Sequence, residues 1–265
     1  MVTTRTLDVP GAHLSYEARD SGPVLVLTGA PMNAAHFAPL ADALADEYTV
    51  VTHDPRGISG STLDDPTQDS TPELRADDIA AILDDIGADS ADVFGSSGGA
   101  VTGLALVARH PARVRTLVAH EPPVLEVLPD AAERRAEMDD IVETFHREGL
   151  GPAFGKFMTV SGMEPAAGPP PGEPSAQDQA DGARFLAHEL RGTANYLPDI
   201  KALTAARPRV LIAIGTTSGP LLTHRTSTAL AARLGTHPVE FPGGHGGFME
   251  APGEFAGVLR KVLGG

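Results

Sequence analysis

The 265-residue sequence has no cysteine, no tryptophan, and three lysines among its 20 basic residues. Without cysteine there is no thiol nucleophile, no thiolate metal site and no disulfide, while the compartment stays open. No apolar run approaches the roughly 18 residues a membrane-spanning helix needs. Positive charge is scarce: 20 Lys and Arg face 35 Asp and Glu, a formal net charge of −15. Such a body repels nucleic acid and anionic membranes, so neither is expected as a partner. A neutral small molecule meets no such barrier. The opening MVTTRTLDVP has no apolar core of a signal peptide, so the default is a soluble, cytoplasmic protein. The shortage of lysine reads as codon bias and carries no functional weight.

What is present is an alternation of short β-rich runs and helical patterns, without internal repeats. Strands are expected at 5–9, 13–19, Val24 to Thr28, Thr49 to His53, Asp92 to Gly95 and Val114 to Ala119. Helices are expected at about 35–46, from the Thr71 cap and Pro72 to Ile86, and from the end of the fifth strand to Arg109. The continuous apolar run Val24-Leu25-Val26-Leu27 suits a strand buried on both faces. The rhythm resumes with strands at Arg209 to Ile214 and His237 to Phe241, and helices at 222–234 and 253–263. This alternation predicts a parallel sheet of about eight strands with helices on both faces. The stretch 124–206 breaks the pattern with amphipathic helices at about 130–148, 151–161 and 178–194 and a Pro/Gly-rich run at Ala166 to Pro174. The expected organisation is a core of 1–123 and 207–265 with a helical cap, or lid, at 124–206.

Val93-Phe94-Gly95-Ser96-Ser97-Gly98-Gly99 ends a strand and opens a helix, and Gly95-x-Ser97-x-Gly99 fits a G-x-S-x-G elbow. The tight turn needs small neighbours around the serine, and the helix aims its N-terminal amides and dipole at a developing oxyanion. Ser97 is therefore the expected nucleophile. His245, in Pro242-Gly243-Gly244-His245-Gly246, follows the last strand; glycines around it let the ring reach over Ser97, making it the expected base. Elbow and chain order together resemble the α/β hydrolases, over about 5–123 and 207–264. That resemblance implies an oxyanion hole built from the Gly98 N–H and a second amide after the first buried strand, that of Ala30 or Gly29. Pro31 has no N–H to give. His53-Asp54-Pro55-Arg56-Gly57 resembles a structural turn of the same superfamily, with Asp54 and Arg56 expected to pair and His53 expected to pack.

The acid departs from the usual pattern. The turn Gly215-Thr216-Thr217-Ser218 has serine where an aspartate is usual, and no carboxylate lies between Thr204 and Arg233. Glu121, after the strand next to the nucleophile, is the expected acid, with His120 pointing the other way. Glu250 is a weaker candidate, and Glu121 as a tether of the cap entrance is the alternative.

Gly95-Ser96-Ser97-Gly98, His120-Glu121-x-Pro123, Pro242-Gly243-x-His245 and the acid-free Gly215-Thr216-Thr217 turn most resemble the zearalenone lactonases. The resemblance implies an ester or lactone substrate and no cofactor or metal. Those enzymes pack a cap tryptophan on substrate. This chain has none, and Pro31, Met32, Phe154, Phe157, Met158, Phe185, Tyr196 and Phe248, with Phe145 and Met163, are the apolar residues that could build the pocket instead. The expected partner is a hydrophobic small-molecule ester or lactone, with a homodimer left open. Peptidase, acyltransferase and cofactor-free oxygenase chemistry remain alternatives on the same scaffold, as does a binding protein without turnover.

Overall fold

The structure is a computed structural model and describes residues 2–19, 22–163 and 174–264. Its strands are β1 (Val2–Val9), β2 (Ala12–Arg19), β3 (Val24–Thr28), β4 (Thr49–His53), β5 (Thr62–Leu63), β6 (Ala91–Ser96), β7 (Val114–His120), β8 (Arg209–Gly215) and β9 (Val239–Phe241). The order across the sheet is β1-β2-β4-β3-β6-β7-β8-β9, with β5 pairing only β2. β1 and β2 form an antiparallel hairpin, β2 meets β4 antiparallel, and every pair from β4 to β9 is parallel.

The period-two alternation of the central strands divides the core between two faces. Val26, Val93, Leu117 and Ala119 face α2 (Pro72–Asp85), α3 (Gly98–Arg109) and α9 (Leu222–Arg233). Leu25, Leu27, Phe94 and Val118 face α1 (Ala34–Leu44), α10 (Gly247–Glu250) and α11 (Pro252–Leu263). Both faces are covered, which is why these strands read as unbroken apolar runs. α2 starts where a cap predicts: the Thr71 side chain accepts from Leu74 N–H, and Pro72 occupies the first turn.

Between β7 and β8 the chain adds helices and no strand among the described residues. They are α4 (Ala131–Glu148), α5 (Leu150–Ser161), α6 (Ala176–His188), α7 (Leu190–Ala194) and α8 (Ile200–Ala205). A separate apolar cluster joins Met138, Ile141 and Val142 of α4 to Phe185 and Leu186 of α6, Leu190 of α7 and Leu222 of α9. The helix expected at 178–194 is two helices. Glu189 breaks it with φ −128° and ψ −39°, its side chain buried. The last strand begins at Val239 rather than His237, and β5, α8 and α10 were not expected. The Ala166 to Pro174 run falls outside the described residues except for Pro174. Among the described residues, no helix is long and apolar enough to cross a membrane.

Candidate active site

Ser97 sits at the junction of β6 and α3 with φ 55° and ψ −123°, a left-handed backbone that a side chain bearing a Cβ adopts only under constraint. The constraint is close packing. A Cβ on Gly99 would stand 2.1 Å from Thr28 O, and one on Gly98 would stand 2.5 Å from Ala30 O. The elbow therefore lies directly against the end of β3, which brings Gly98 and Ala30 together. Gly98 opens α3, so its N–H has no partner one turn back and stays available to an incoming oxygen.

β7 lies next to β6, with Ser96 opposite His120 in the ladder, so Glu121 leaves the sheet beside the elbow. Ser97 N–H donates to His120 O at 2.9 Å, and Glu121 N–H donates to Ala213 O at 2.9 Å. Glu121 has φ 52° and a side chain with no solvent exposure. Its Oε1 accepts from Gly215 N–H at 2.9 Å. Its Oε2 accepts from Thr223 Oγ1 at 2.9 Å and lies 2.6 Å from His245 Nδ1. Burial opposes the charged form, but the bond to His245, the nearby His120 and the Ser218 hydroxyl outweigh it and hold the carboxyl down at about 2. Close packing requires glycine at 215: a Cβ would meet Gly243 O at 2.6 Å, because the His245 loop packs on the end of β8.

His120 turns away from Glu121 as strand alternation suggests: it shares the sheet face of Phe94 and Val118, while Glu121 reaches Thr223 of α9, and the His120 ring lies 6.2 Å, centroid to centroid, from that of His245. It is fully buried among Phe94, Phe241 and Phe255, with Nδ1 3.2 Å from Ser96 Oγ. Burial pushes its pKa down to about 4, so the ring is neutral at pH 7.

Ser97 and His245 open on one cavity of about 250 Å³. Ala30, Pro31, Met32 and Gly98 line it with them, and Phe154, Phe157 and Met158 of α5, Met163 just beyond it and Phe185 of α6 line the rest. His245 is the one titratable side chain in that lining among the described residues. Gly29 is not in the lining; it packs against Met32 and Phe37. Three pocket expectations are corrected. Phe248 lies beneath the site, fully buried and stacked on Phe37 at 4.9 Å. Tyr196 lies at the far end of α7, packed on the core and beside a different cavity with Thr71 and Leu197, its pKa pushed up to about 12 by burial. Phe145 faces another open cavity, of about 500 Å³, with Ser61, Arg184 and His188.

Asp54 and Arg56 do not pair. Asp54 accepts from Ala34 N–H and Gly60 N–H, both at 2.9 Å, while Arg56 makes a two-pronged, buried pair with Asp78 at 2.5 and 2.7 Å. His53 is a packed strand end, its Nε2 2.9 Å from Thr28 Oγ1. Glu250 lies exposed on α10. Sequence reasoning missed Thr223, whose signal is a single hydroxyl in the first turn of a helix, and the Gly215 amide, which has no signature. Among the described residues, no group of three or more histidine and acidic side chains is placed to hold a metal ion.

The model of the alpha/beta hydrolase fold family matches residues 22–252. This chain belongs to that family. It is 34% identical to the uncharacterized hydrolase YraK of Bacillus subtilis over 269 residues, 99% of this chain and 96% of the relative. It shares its fold with a thermophilic esterase from Thermogutta terrifontis, at TM-score 0.74 and 20% identity over 99% and 98% of the two chains. The enol-lactonase from Burkholderia xenovorans LB400 matches at TM-score 0.66 and 20% identity, over 98% of this chain and all of the other.

Proposed function

We propose that the protein is a serine hydrolase of neutral, apolar carboxylic esters or lactones. One observation carries this reading: Ser97 and His245 face the same apolar cavity, and a buried Glu121 carboxylate holds the far nitrogen of the His245 ring at 2.6 Å. Ser97 Oγ attacks the carbonyl while His245 takes its proton, and the Gly98 and Ala30 amides receive the oxyanion. Glu121 orients the imidazole and stabilises it once charged. The adduct collapses with cleavage of the ester C–O bond as His245 returns its proton to the departing alcohol oxygen, and water, activated by His245, then attacks the acyl-enzyme, releasing the acid and restoring Ser97. Among the described residues the lining holds no acidic or basic side chain besides His245, which suits neutral acyl and alcohol groups. The esterase and enol-lactonase that share the fold are consistent with this class, and the sequence resemblance to zearalenone lactonases extends it to macrolactones.

A fluorophosphonate probe should label Ser97, and Ser97→Ala should abolish labelling and lower turnover by at least about 10⁴-fold. Failure of well-folded protein to react would favour a binding protein without turnover. A panel of aryl esters, small lactones, zearalenone and amides separates the substrate classes, and amide turnover matching that of esters would overturn the ester assignment.

A further inference from the structure

The loop that carries Ala30, Pro31 and Met32 into the cavity ends at Asn33, the cap of α1. Asn33 Oδ1 accepts from Ala35 N–H at 3.1 Å, which satisfies the helix start, and lies 2.7 Å from His36 Nδ1. Its Nδ2 donates to Ser59 Oγ at 2.8 Å. Ser59 has φ 50°, and both its hydrogens point at the cap: N–H donates to Asp181 Oδ1 at 2.9 Å, and Oγ–H donates to Asp181 Oδ2 at 2.5 Å. Gln177 Nε2, one turn earlier on α6, holds Oδ1 at 2.8 Å.

We propose that Asp181, Ser59 and Asn33 are positioning residues that couple the seating of cap helix α6 to the oxyanion loop. The inference rests on the reading of Ala30 N–H as an oxyanion donor. The physical case is directional. A hydroxyl has one hydrogen, and Ser59 spends it on Asp181, which leaves its oxygen free to accept from Asn33. Asp181 thereby orients the hydroxyl, the hydroxyl fixes the Asn33 amide, and the amide anchors the chain three residues after Ala30. The other end of the loop is already fixed by the β3 ladder, where Thr28 pairs with Gly95. With α6 unseated, the Ser59 hydroxyl loses the acceptor that orients it toward Asn33, and the bonds at that end left unaffected are those of the α1 start, among them Ala34 N–H to Asp54. Oxyanion donors act through position, so a loosened loop lowers catalysis without weakening substrate binding.

The test uses p-nitrophenyl butyrate turnover and inhibition by an alkyl trifluoromethyl ketone, which forms a tetrahedral adduct on the serine. Asp181→Asn removes one acceptor in a side chain of the same shape. Asn33→Ser keeps a capping oxygen but is too short to reach Ser59. Each should lower kcat about tenfold with KM within about twofold, and should weaken the ketone in proportion. The double variant should be no worse than the poorer single one, because either change breaks the same chain. Wild-type kcat and ketone affinity in the single variants would overturn the coupling, as would a double loss equal to the product of the two. Ser59→Ala, read by the same criteria, replaces either variant that does not fold by circular dichroism. Turnover surviving in Ser97→Ala would remove the serine reading and this inference with it, whereas Ser97-dependent turnover with unaffected Asp181→Asn removes the coupling alone.

Discussion

Glu121 and Glu189 are both shut away from solvent, at 0% and 1% exposure, yet the protein surrounds them in opposite ways. Glu121 receives Gly215 N–H, the Thr223 hydroxyl and the His245 ring, and these hold its charged form in place. Glu189, at the break between α6 and α7, has no hydrogen-bond partner on either oxygen among the described residues. Its nearest cation is Arg184, with Nε 4.0 Å away. Burial pushes its pKa up, and the charges of Arg75 and Arg184 offset this only in part. Arg75 itself is committed elsewhere, to Thr102, Ser70 and Thr193. The lesson is that burial alone does not decide the state of a carboxylate. Donors aimed at the oxygens hold the carboxyl's pKa down, whereas nearby charge without them leaves it raised by burial.

The largest effect should come from Glu121→Gln. The amide is neutral and presents hydrogens where His245 and Thr223 need an acceptor, so the ring loses both its orientation and its counter-charge. We expect kcat to fall by about 10³ to 10⁴-fold with little change in KM, measured by steady-state ester hydrolysis. A loss below about tenfold would mean that Glu121 only tethers the cap entrance. Thr223→Val, which keeps the shape and removes one donor to the same oxygen, should lower kcat by at most about tenfold. Thr223→Ser should restore it. If Ser fails where Thr works, the methyl group rather than the hydroxyl is what matters.

The same contrast shows which parts were legible in the sequence. The place of Glu121 beside His245 was legible because Ser218 stands where an acid is usual and the strand next to the nucleophile's ends in a carboxylate. Parallel strands of fixed order then place that end next to the elbow. The elbow was legible because close packing of Gly98 and Gly99 against β3 restricts the sequence to glycine. Thr223 and the Gly215 amide were not legible, since a hydroxyl in a helix start and a backbone N–H carry no periodicity. Tyr196 and Phe248 were misplaced because apolar character does not say which surface a side chain faces. The break at Glu189 was hidden for a related reason: the helical pattern continues through it, and only the tertiary setting, near Arg75 of α2 and Arg184 of α6, buries that side chain. Asp54 and Arg56, two residues apart, looked paired, yet the guanidinium reaches Asp78 on α2 instead.

The smallest effect on turnover, and the sharpest test of the contrast, should come from Glu189→Gln. A carboxyl whose folded pKa is raised adds stability that is fully present below its unfolded value near 4.3 and is lost as pH rises through the folded value. Glu121 runs the other way: its folded value of about 2 gives stability present above its unfolded value and lost as pH falls toward 2. The two windows therefore lie on opposite sides of about pH 4.3. Replacing Glu189 by an amide removes the alkaline-side loss and leaves the acid-side loss intact. Thermal melts of wild type and variant should converge toward pH 4, with the Tm of the variant gaining on that of the wild type as pH rises toward 7. Parallel melting curves across that range would mean that Arg75 and Arg184 already neutralise Glu189 in the folded state. Ester turnover at pH 7 should stay within about threefold, because the side chain does not line the cavity that Ser97 and His245 share.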